Sequence, residues 1–300
     1  MELRCPACGG ALTDVGDALR CCADYPVRDG VPVLIDEATS VFSHADVLAG
    51  RSASFVPTRG RLRRVLATLT APPSRNVVAH ESYGRMSELL RAIATRPLVL
   101  VIGGGLGGEG IAALDAELVV TDVCFGPGVR VVCDAHRLPF PDGSFHGVVA
   151  QAVLEHVADP AQCVAEIHRV LVPDGLVYAE TPFMQQVHGG AHDFTRFSHL
   201  GHRRLFRRFE EIGSGACCGP GMALAWAFQY WLAAMATGPT TKRLLRAQGT
   251  AMTWALPWLD PWLANRPGGL DAASGVWFLG RRSERTVSDR EIVRGYRGAG

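Results

Sequence analysis

The pattern of apolar and polar positions divides the chain into stretches of different character. Up to residue 37, short apolar clusters alternate with cysteines and glycines and end in YPVRDGVPVLI. From 38 to 96 the signals are helical. They comprise LRRVLATL and then residues 81–94, where Tyr83, Met86, Leu89, Leu90 and Ile93 recur at helical spacing. Arg96-Pro97 stops that run. From Leu98 onward the runs are short and apolar, separated by glycines and helix-like segments: LVLVI, ELVVT, VRVVC, HGVVAQAV, GLVYAE and, far downstream, GVWFLG. Such alternation predicts an α/β fold with a doubly wound, mostly parallel sheet. An apolar helical segment is expected directly after the glycines that follow the first run.

Residues 219–272 read as a mainly helical insertion before the last strand. They hold five of the six tryptophans: Trp226, Trp231, Trp254, Trp258 and Trp262. The longest uncharged apolar stretch, 222–237, has 16 residues, short of the roughly 20 that span a bilayer, and reads as a buried helix. The resulting organisation is a head (1–37), a helical linker region (38–96), an α/β domain (97–282) with its insertion, and a charged, peripheral tail (283–300).

Composition removes several classes of partner. The 300 residues carry a net charge of +1, and Lys242 is the only lysine, so no broad positive field points to nucleic acid. The start, MELRCPACGG, lacks the apolar core of a secretory signal. Nine cysteines, an odd number with adjacent pairs at Cys21-Cys22 and Cys217-Cys218, do not form a disulfide framework. A reducing, cytoplasmic setting is expected.

Candidate chemistry begins where the first run enters VLVIGGGLGGEG. Gly103, Gly105 and Gly107 give G-x-G-x-G, and Gly103, Gly105 and Gly108 give G-x-G-x-x-G. Glycines in a strand-to-helix turn let a ligand approach main-chain N–H groups closely. The second run ends at Asp122, 19 residues after Gly103, where a carboxylate can accept bonds from ribose hydroxyls. The third ends at Asp134-Ala135, where a second acid can reach the exocyclic amine of an adenine. A nicotinamide dehydrogenase would not call for that second acid followed by L-P-F.

Together VLVIGGGLGG, TDV, CDAHRLPFPDGSFHGVVAQAVLEHV and EIHRVLVPDGLVYAETPF resemble the class I S-adenosylmethionine-dependent methyltransferases, of the ubiquinone-type small-molecule branch. The resemblance covers roughly 98–183, with GVWFLG as the last strand. It implies a Rossmann-like fold with S-adenosyl-L-methionine as cofactor. Gly103, Gly105 and Gly107 would then line its methionine end, Asp122 its ribose, and Asp134 with the Ala135 backbone its adenine. Gln151 to Leu154 would close the pocket. The chain departs from the family twice. Val101 stands where an acid usually helps to hold the methionine ammonium, and His146 replaces the aspartate of S-F-D. One lost charged hydrogen bond costs about 1.5–3 kcal/mol, or roughly 10- to 150-fold in affinity. Val101 therefore motivates an alternative to methyl transfer: a catalytically weak or inactive scaffold on the same fold.

Methyl transfer to a small-molecule hydroxyl needs a positioned base. Candidates follow the fourth and fifth strands: His156 in L-E-H, and His188, His192 and Asp193 in TPFMQQVHGGAHDFTRFSHLGHRRLF. His188 and His192 with Asp193 form an alternative metal set, although their spacing across Gly189-Gly190 does not suit a helix. His136 and His168 read as ordinary helix or loop histidines. In the head, Cys5-Pro-Ala-Cys8-Gly-Gly is half of a zinc ribbon. Adjacent Cys21 and Cys22 would complete it only through an unusual local bend. The stretch 2–38 resembles the small ribbon-like proteins that bind and activate tRNA and protein methyltransferases. Bound zinc and a metal-free β domain both stay open. For the tryptophan-rich helices, a buried core, a peripheral membrane or lipid-acceptor contact, and a homodimer interface stay open.

Overall fold

In the computed structural model, which describes residues 1–52, 76–106 and 110–299, the apolar runs become the centre of one sheet. The head supplies β1 (Thr13–Asp14), β2 (Ala18–Arg20), β3 (Asp24–Arg28) and β4 (Val31–Leu34). Then come β5 (Leu98–Ile102), β6 (Glu117–Asp122), β7 (Val129–Cys133), β8 (Phe145–Gln151), β9 (Leu171–Pro182), β10 (Phe209–Cys218) and β11 (Gly275–Arg282). Their order is β1-β2-β3-β4-β7-β6-β5-β8-β9-β11-β10. The pairs β7-β6, β6-β5, β5-β8 and β8-β9 are parallel, and β11 runs antiparallel to both neighbours. β5 and β8 are apolar almost throughout because helices cover both faces of a parallel sheet.

The helices are α1 (His44–Leu48), α2 (Ala79–Ile93), α3 (Pro160–Val170), α4 (His199–Leu205), α5 (Pro220–Ala234), α6 (Pro239–Thr253), α7 (Asp260–Leu263), α8 (Pro267–Asp271) and α9 (Asp289–Arg294). α2 buries Tyr83, Met86 and Leu90 against Val99 and Val149 of the sheet, as their spacing predicted. α3 starts where the Asp159 carboxylate caps two N–H groups ahead of Pro160. His146, the unusual residue of S-F-H, accepts the Leu98 N–H through Nδ1 at 3.0 Å, so it satisfies the first donor of β5.

The head is built into this sheet. β4 pairs in parallel with β7, setting Leu34 opposite Cys133. Cys5, Tyr25 and Leu34 pack in the same apolar core as Leu138, Phe140 and Phe145. A strand from the head thus flanks the strand that ends at Asp134.

Several expectations need correction. The segment after the glycines forms 3₁₀ turns, Gly104–Leu106 and Ile111–Ala113, and no helix is seen in its described part. Gly103 and Gly110 have left-handed φ values of 68° and 81°, which interrupt a helix on either side. β10 carried no clear signal, because FEEIGSGACC mixes acids and glycines and borders β11 alone. The expected buried helix, α5, is apolar on both faces. It buries Met222, Ala225 and Gln229 but exposes Leu224 and Trp231. The charged tail stays largely exposed; Asp289 of α9 pairs with Arg204, and Arg297 reaches Ser214 and Glu211. The LRRVLATL helix, Gly107 and Gly108 lie outside the described residues.

Candidate active site

The carboxyl ends of β5, β6, β7, β8 and β9 open onto one cleft of about 480 Å³. Gly103, Asp122, Asp134, Ala135, Gln151, His156, His188 and His192 all line it. Ligands bind at this edge of a doubly wound sheet, where the crossovers diverge.

On one side the loop after β5 meets the tip of β6. The Gly105 N–H donates to Asp122 Oδ2 at 2.9 Å, and a Cβ at Gly105 would lie 2.9 Å from that oxygen. A Cβ at Gly103 would fall 2.5 Å from Val153, and φ there is left-handed at 68°, so that position calls for glycine. Asp122 Oδ1 accepts from the N–H and thiol of Cys124. Burial, together with Asp122, pushes that thiol up to about 12, so it stays neutral.

Asp134 stands at the next strand tip, buried yet facing the cleft. It accepts from the His136 N–H at 3.0 Å, from His136 Nδ1 at 2.5 Å and from the Ser40 hydroxyl at 2.5 Å. Burial opposes its charge, but the bonds from His136 and Ser40 hold the carboxyl below its ordinary value. His136 Nε2 accepts the Asp159 N–H at 3.0 Å. That bond suits a neutral ring with its proton on Nδ1, although Asp134 raises the ring's proton affinity. Sequence reasoning missed Ser40 and His136 as site residues. The two-residue step from Asp134 to His136 was the available signal.

The floor between β8 and β9 holds a polar group that also escaped notice. Glu180, opposite Gln151 in register, accepts from Asn76 at 2.8 Å, from Gln151 Nε2 at 2.9 Å and from the Tyr178 hydroxyl. Tyr83 donates to Gln151 from α2 at 3.3 Å. Ala152, at the tip of β8, takes a left-handed φ of 53°, a conformation that costs energy outside glycine and recurs at functional sites. Val101 is buried in the apolar wall beneath the glycine loop. Leu154, expected at the cofactor, packs instead in the core, inside the turn that the His156 N–H closes onto the Val153 carbonyl.

The opposite wall comes from the L-E-H segment and the loop after β9. His156 Nδ1 donates to the His192 carbonyl at 2.7 Å, and His188 Nδ1 faces the Gln186 carbonyl at 3.2 Å. Asp193 does not line the cleft. It accepts from the N–H groups of His188 and Gly189 at 2.7 and 3.0 Å and from Arg196 at 2.5 and 3.0 Å, so it anchors the loop. Burial works against its charge, but those donors hold it well below the usual carboxylate range. Burial likewise opposes protonation of His188, but Glu155, the Gln186 carbonyl and Asp193 outweigh it and raise the ring's pKa. His192 stacks on Phe42 from the linker, ring centres 5.2 Å apart. The set His188, His192 and Asp193 does not converge on a metal. Among the described residues the convergent set on this wall is Glu155, His156 and His188.

In the head, the bend at Cys21-Cys22 does occur, at the turn between β2 and β3. The four sulfurs of Cys5, Cys8, Cys21 and Cys22 all lie within 4.8 Å of one another. Cys5 faces Cys22 and Cys8 faces Cys21, each at 3.5 Å. Sulfurs bound to one tetrahedral zinc at about 2.3 Å stand roughly 3.8 Å apart, so the donor set fits that ion.

A methyltransferase-domain family model matches residues 102–179. An uncharacterized methyltransferase of Mycolicibacterium gilvum is 30% identical over 187 residues, 55% of this chain and 71% of that protein. The ubiquinone/menaquinone biosynthesis C-methyltransferase UbiE of Desulfotalea psychrophila is 46% identical over 44 residues, 15% of this chain. The chain spans only 16% and 18% of the first two curated relatives it matches. A solved putative sarcosine dimethylglycine methyltransferase from Galdieria sulphuraria covers 80% of this chain and 97% of its own at 12% identity, with a TM-score of 0.43. With two acids at neighbouring strand tips above a glycine turn, and with a relative matched over most of its length, the chain belongs to the class I S-adenosylmethionine-dependent methyltransferases.

Proposed function

We propose that this protein transfers a methyl group from S-adenosylmethionine to the hydroxyl of an amphipathic small molecule: a sugar, a glycan-lipid or a polyketide-type acceptor. The observation that carries the acceptor class is that the insertion bordering the histidine wall of the cleft also exposes large apolar side chains. Trp226 of α5 lies against His188, with ring centres 6.2 Å apart, and Met222 lines the cleft. On the outer side Trp231, Trp254, Trp258 and Trp262 are each about 60% exposed, together with Leu224, Met252 and Leu259. Lys242, Arg243, Arg246 and Arg266 belong to the same segment, Arg266 lies 4.0 Å over the Trp262 ring, and the only acid between 219 and 266, Asp260, is buried under the N–H groups of Gly221 and Met222. Aromatic side chains mixed with cations, without opposing acids, suit an anionic lipid surface. No described helix is long and apolar enough to cross a membrane, and the contact is peripheral.

The bound cofactor supplies an electrophilic methyl carbon on a sulfonium. The protein's part is to orient it and to manage the acceptor's proton. Asp122 binds the ribose hydroxyls, and Asp134, once Ser40 yields, accepts from the adenine amine. Gly103 offers its main-chain N–H to the methionine end, while the Gly105 N–H steadies Asp122. Glu180 supplies there the carboxylate that Val101 does not. His192 takes the acceptor proton, because His156 and His188 turn their second nitrogens toward Glu155. Asp193 and Arg196 hold the loop that carries these rings. The cysteine cluster binds a structural zinc that braces β4 beside β7, supporting the catalytic domain in cis.

Transfer of isotope from labelled cofactor into lipid and aqueous fractions of a cell extract tests the proposal. A labelled product enriched in the lipid fraction is expected. Tight binding of S-adenosylhomocysteine with no labelled product in any fraction would favour the scaffold reading that Val101 motivates.

A further inference from the structure

Glu155 is fully buried, and neither of its carboxylate oxygens accepts a hydrogen bond. A buried carboxylate without donors is costly unless a cation compensates it. The groups closest in charge are two imidazoles. His156 Nε2 is 3.7 Å and His188 Nε2 is 3.8 Å from Glu155 Oε1, too far for hydrogen bonds. The geometry points to a divalent metal site formed by Glu155, His156 and His188, with its open position toward the cleft.

Three features support this assignment. First, both rings face backbone carbonyls through Nδ1, His156 toward His192 and His188 toward Gln186. For His156 that donation leaves the lone pair on Nε2, the tautomer a metal requires, with a carbonyl on the far nitrogen as the usual support of a ligating histidine. His188 Nδ1 lies between the Gln186 carbonyl and, at 3.5 Å, Arg196 Nη2, and its Nε2 likewise faces Glu155. Secondly, the spacing is right. Two ligands bound at about 2.1 Å and spread over roughly 109–120° stand about 3.4–3.6 Å apart, and the three donor atoms here lie within 4.8 Å of one another. Thirdly, the rings are wedged in place. They meet edge to face at 4.9 Å, and a Cβ at Gly189 would sit 2.4 Å from the His156 ring. The Glu155 main chain is fixed as well, since its carbonyl accepts from Phe194 and Thr195. Two imidazoles and one carboxylate suit first-row divalent ions, zinc and cobalt among them.

An ion here stands two residues past Val153, which covers Gly103. On the methyl-transfer reading, on which this role rests, it binds the acceptor hydroxyl and lowers its pKa. The proton leaves to His192, the oxygen bonds to the methyl carbon, and the electron pair of the breaking carbon–sulfur bond stays on sulfur. The metal site itself does not depend on that reading.

The test titrates full-length, chelator-treated protein with Co²⁺, whose strong thiolate bands separate ions in the cysteine cluster from ions held by nitrogen and oxygen. One ion without thiolate bands is expected. It should bind at least about tenfold more weakly in Glu155→Gln and be lost in His188→Ala, with S-adenosylhomocysteine binding retained in both. Equal nitrogen- and oxygen-bound cobalt in His188→Ala and the parent would overturn the site. So would ring ¹⁵N spectra of His156 and His188 in the unmutated protein that do not change on adding Zn²⁺, a readout independent of how the variants fold. Calorimetry with S-adenosylhomocysteine, run separately, reports whether the methyltransferase reading itself fails.

Discussion

The two walls of the cleft are assembled in different ways. Asp122 and Asp134 stand at the tips of adjacent parallel strands, so backbone hydrogen bonds between β6 and β7 fix their separation. Glu155, His156, His188 and His192 come from two loops 30 or more residues apart, and side-chain bonds through Asp193, Arg196 and the His192 carbonyl set their arrangement. Geometry inherited from a sheet is robust to side-chain change. Geometry held by loop contacts is open to change in shape and specificity. A family that keeps its cofactor and varies its acceptor would be expected to divide its cleft in this way.

That contrast can be broken by experiment. His192→Ala should lower kcat by about 10²- to 10⁴-fold while leaving S-adenosylhomocysteine affinity unchanged. Equal losses in both would mean that the two walls are not separable. Asp122→Ala should do the reverse, weakening S-adenosylhomocysteine by roughly 10- to 150-fold in calorimetry for each charged hydrogen bond lost. Full affinity in that variant would remove the ribose assignment.

Smaller effects sharpen the comparison. Trp231→Ala combined with Trp254→Ala should reduce sedimentation with anionic vesicles by about tenfold or more, since each buried aromatic contributes about 1.5–3 kcal/mol. Unchanged sedimentation, or a change in oligomeric state instead, would assign this face to a protein contact. Because the folded state lowers the pKa of Asp193, its contribution is present above the ordinary carboxylate value and lost as pH falls through the depressed one. Trp226 fluorescence should therefore report an intact loop at pH 4, and Asp193→Asn should loosen it at neutral pH. A loop that opens near pH 4 in the parent protein would contradict the anchor. Ser40→Ala should tighten S-adenosylhomocysteine two- to fivefold by releasing Asp134. Weaker binding would instead make Ser40 an aid to orientation.

The same division explains what could be read beforehand. β5, β8 and the buried stretches of β6, β7, β9 and β11 were legible because a strand segment covered on both faces must be apolar. Asp122 and Asp134 were legible because a polar residue ending such a run falls at the sheet's edge. β10 was not, since an edge strand with glycines and acids lacks that pattern. The placing of Leu154 was not legible because it lies inside the Val153–His156 turn, which no apolar pattern marks. Glu180 was hidden inside GLVYAETPF, where one acid at a strand end gives no hint that Asn76, Gln151 and Tyr178 surround it.

The amino-acid sequence alone determined the type of most central strands and of α2, the cofactor edge of the sheet and the four cysteines of the head cluster, because these depend on periodicity and spacing over a few residues. Tertiary structure alone decided three things. It set β4 of the head beside β7, it turned four of the insertion's five tryptophans outward, and it brought Glu155 together with His156 and His188. Each depends on which surfaces of distant elements pack against one another. That choice follows from shape and buried area summed over many residues, a quantity no local pattern contains.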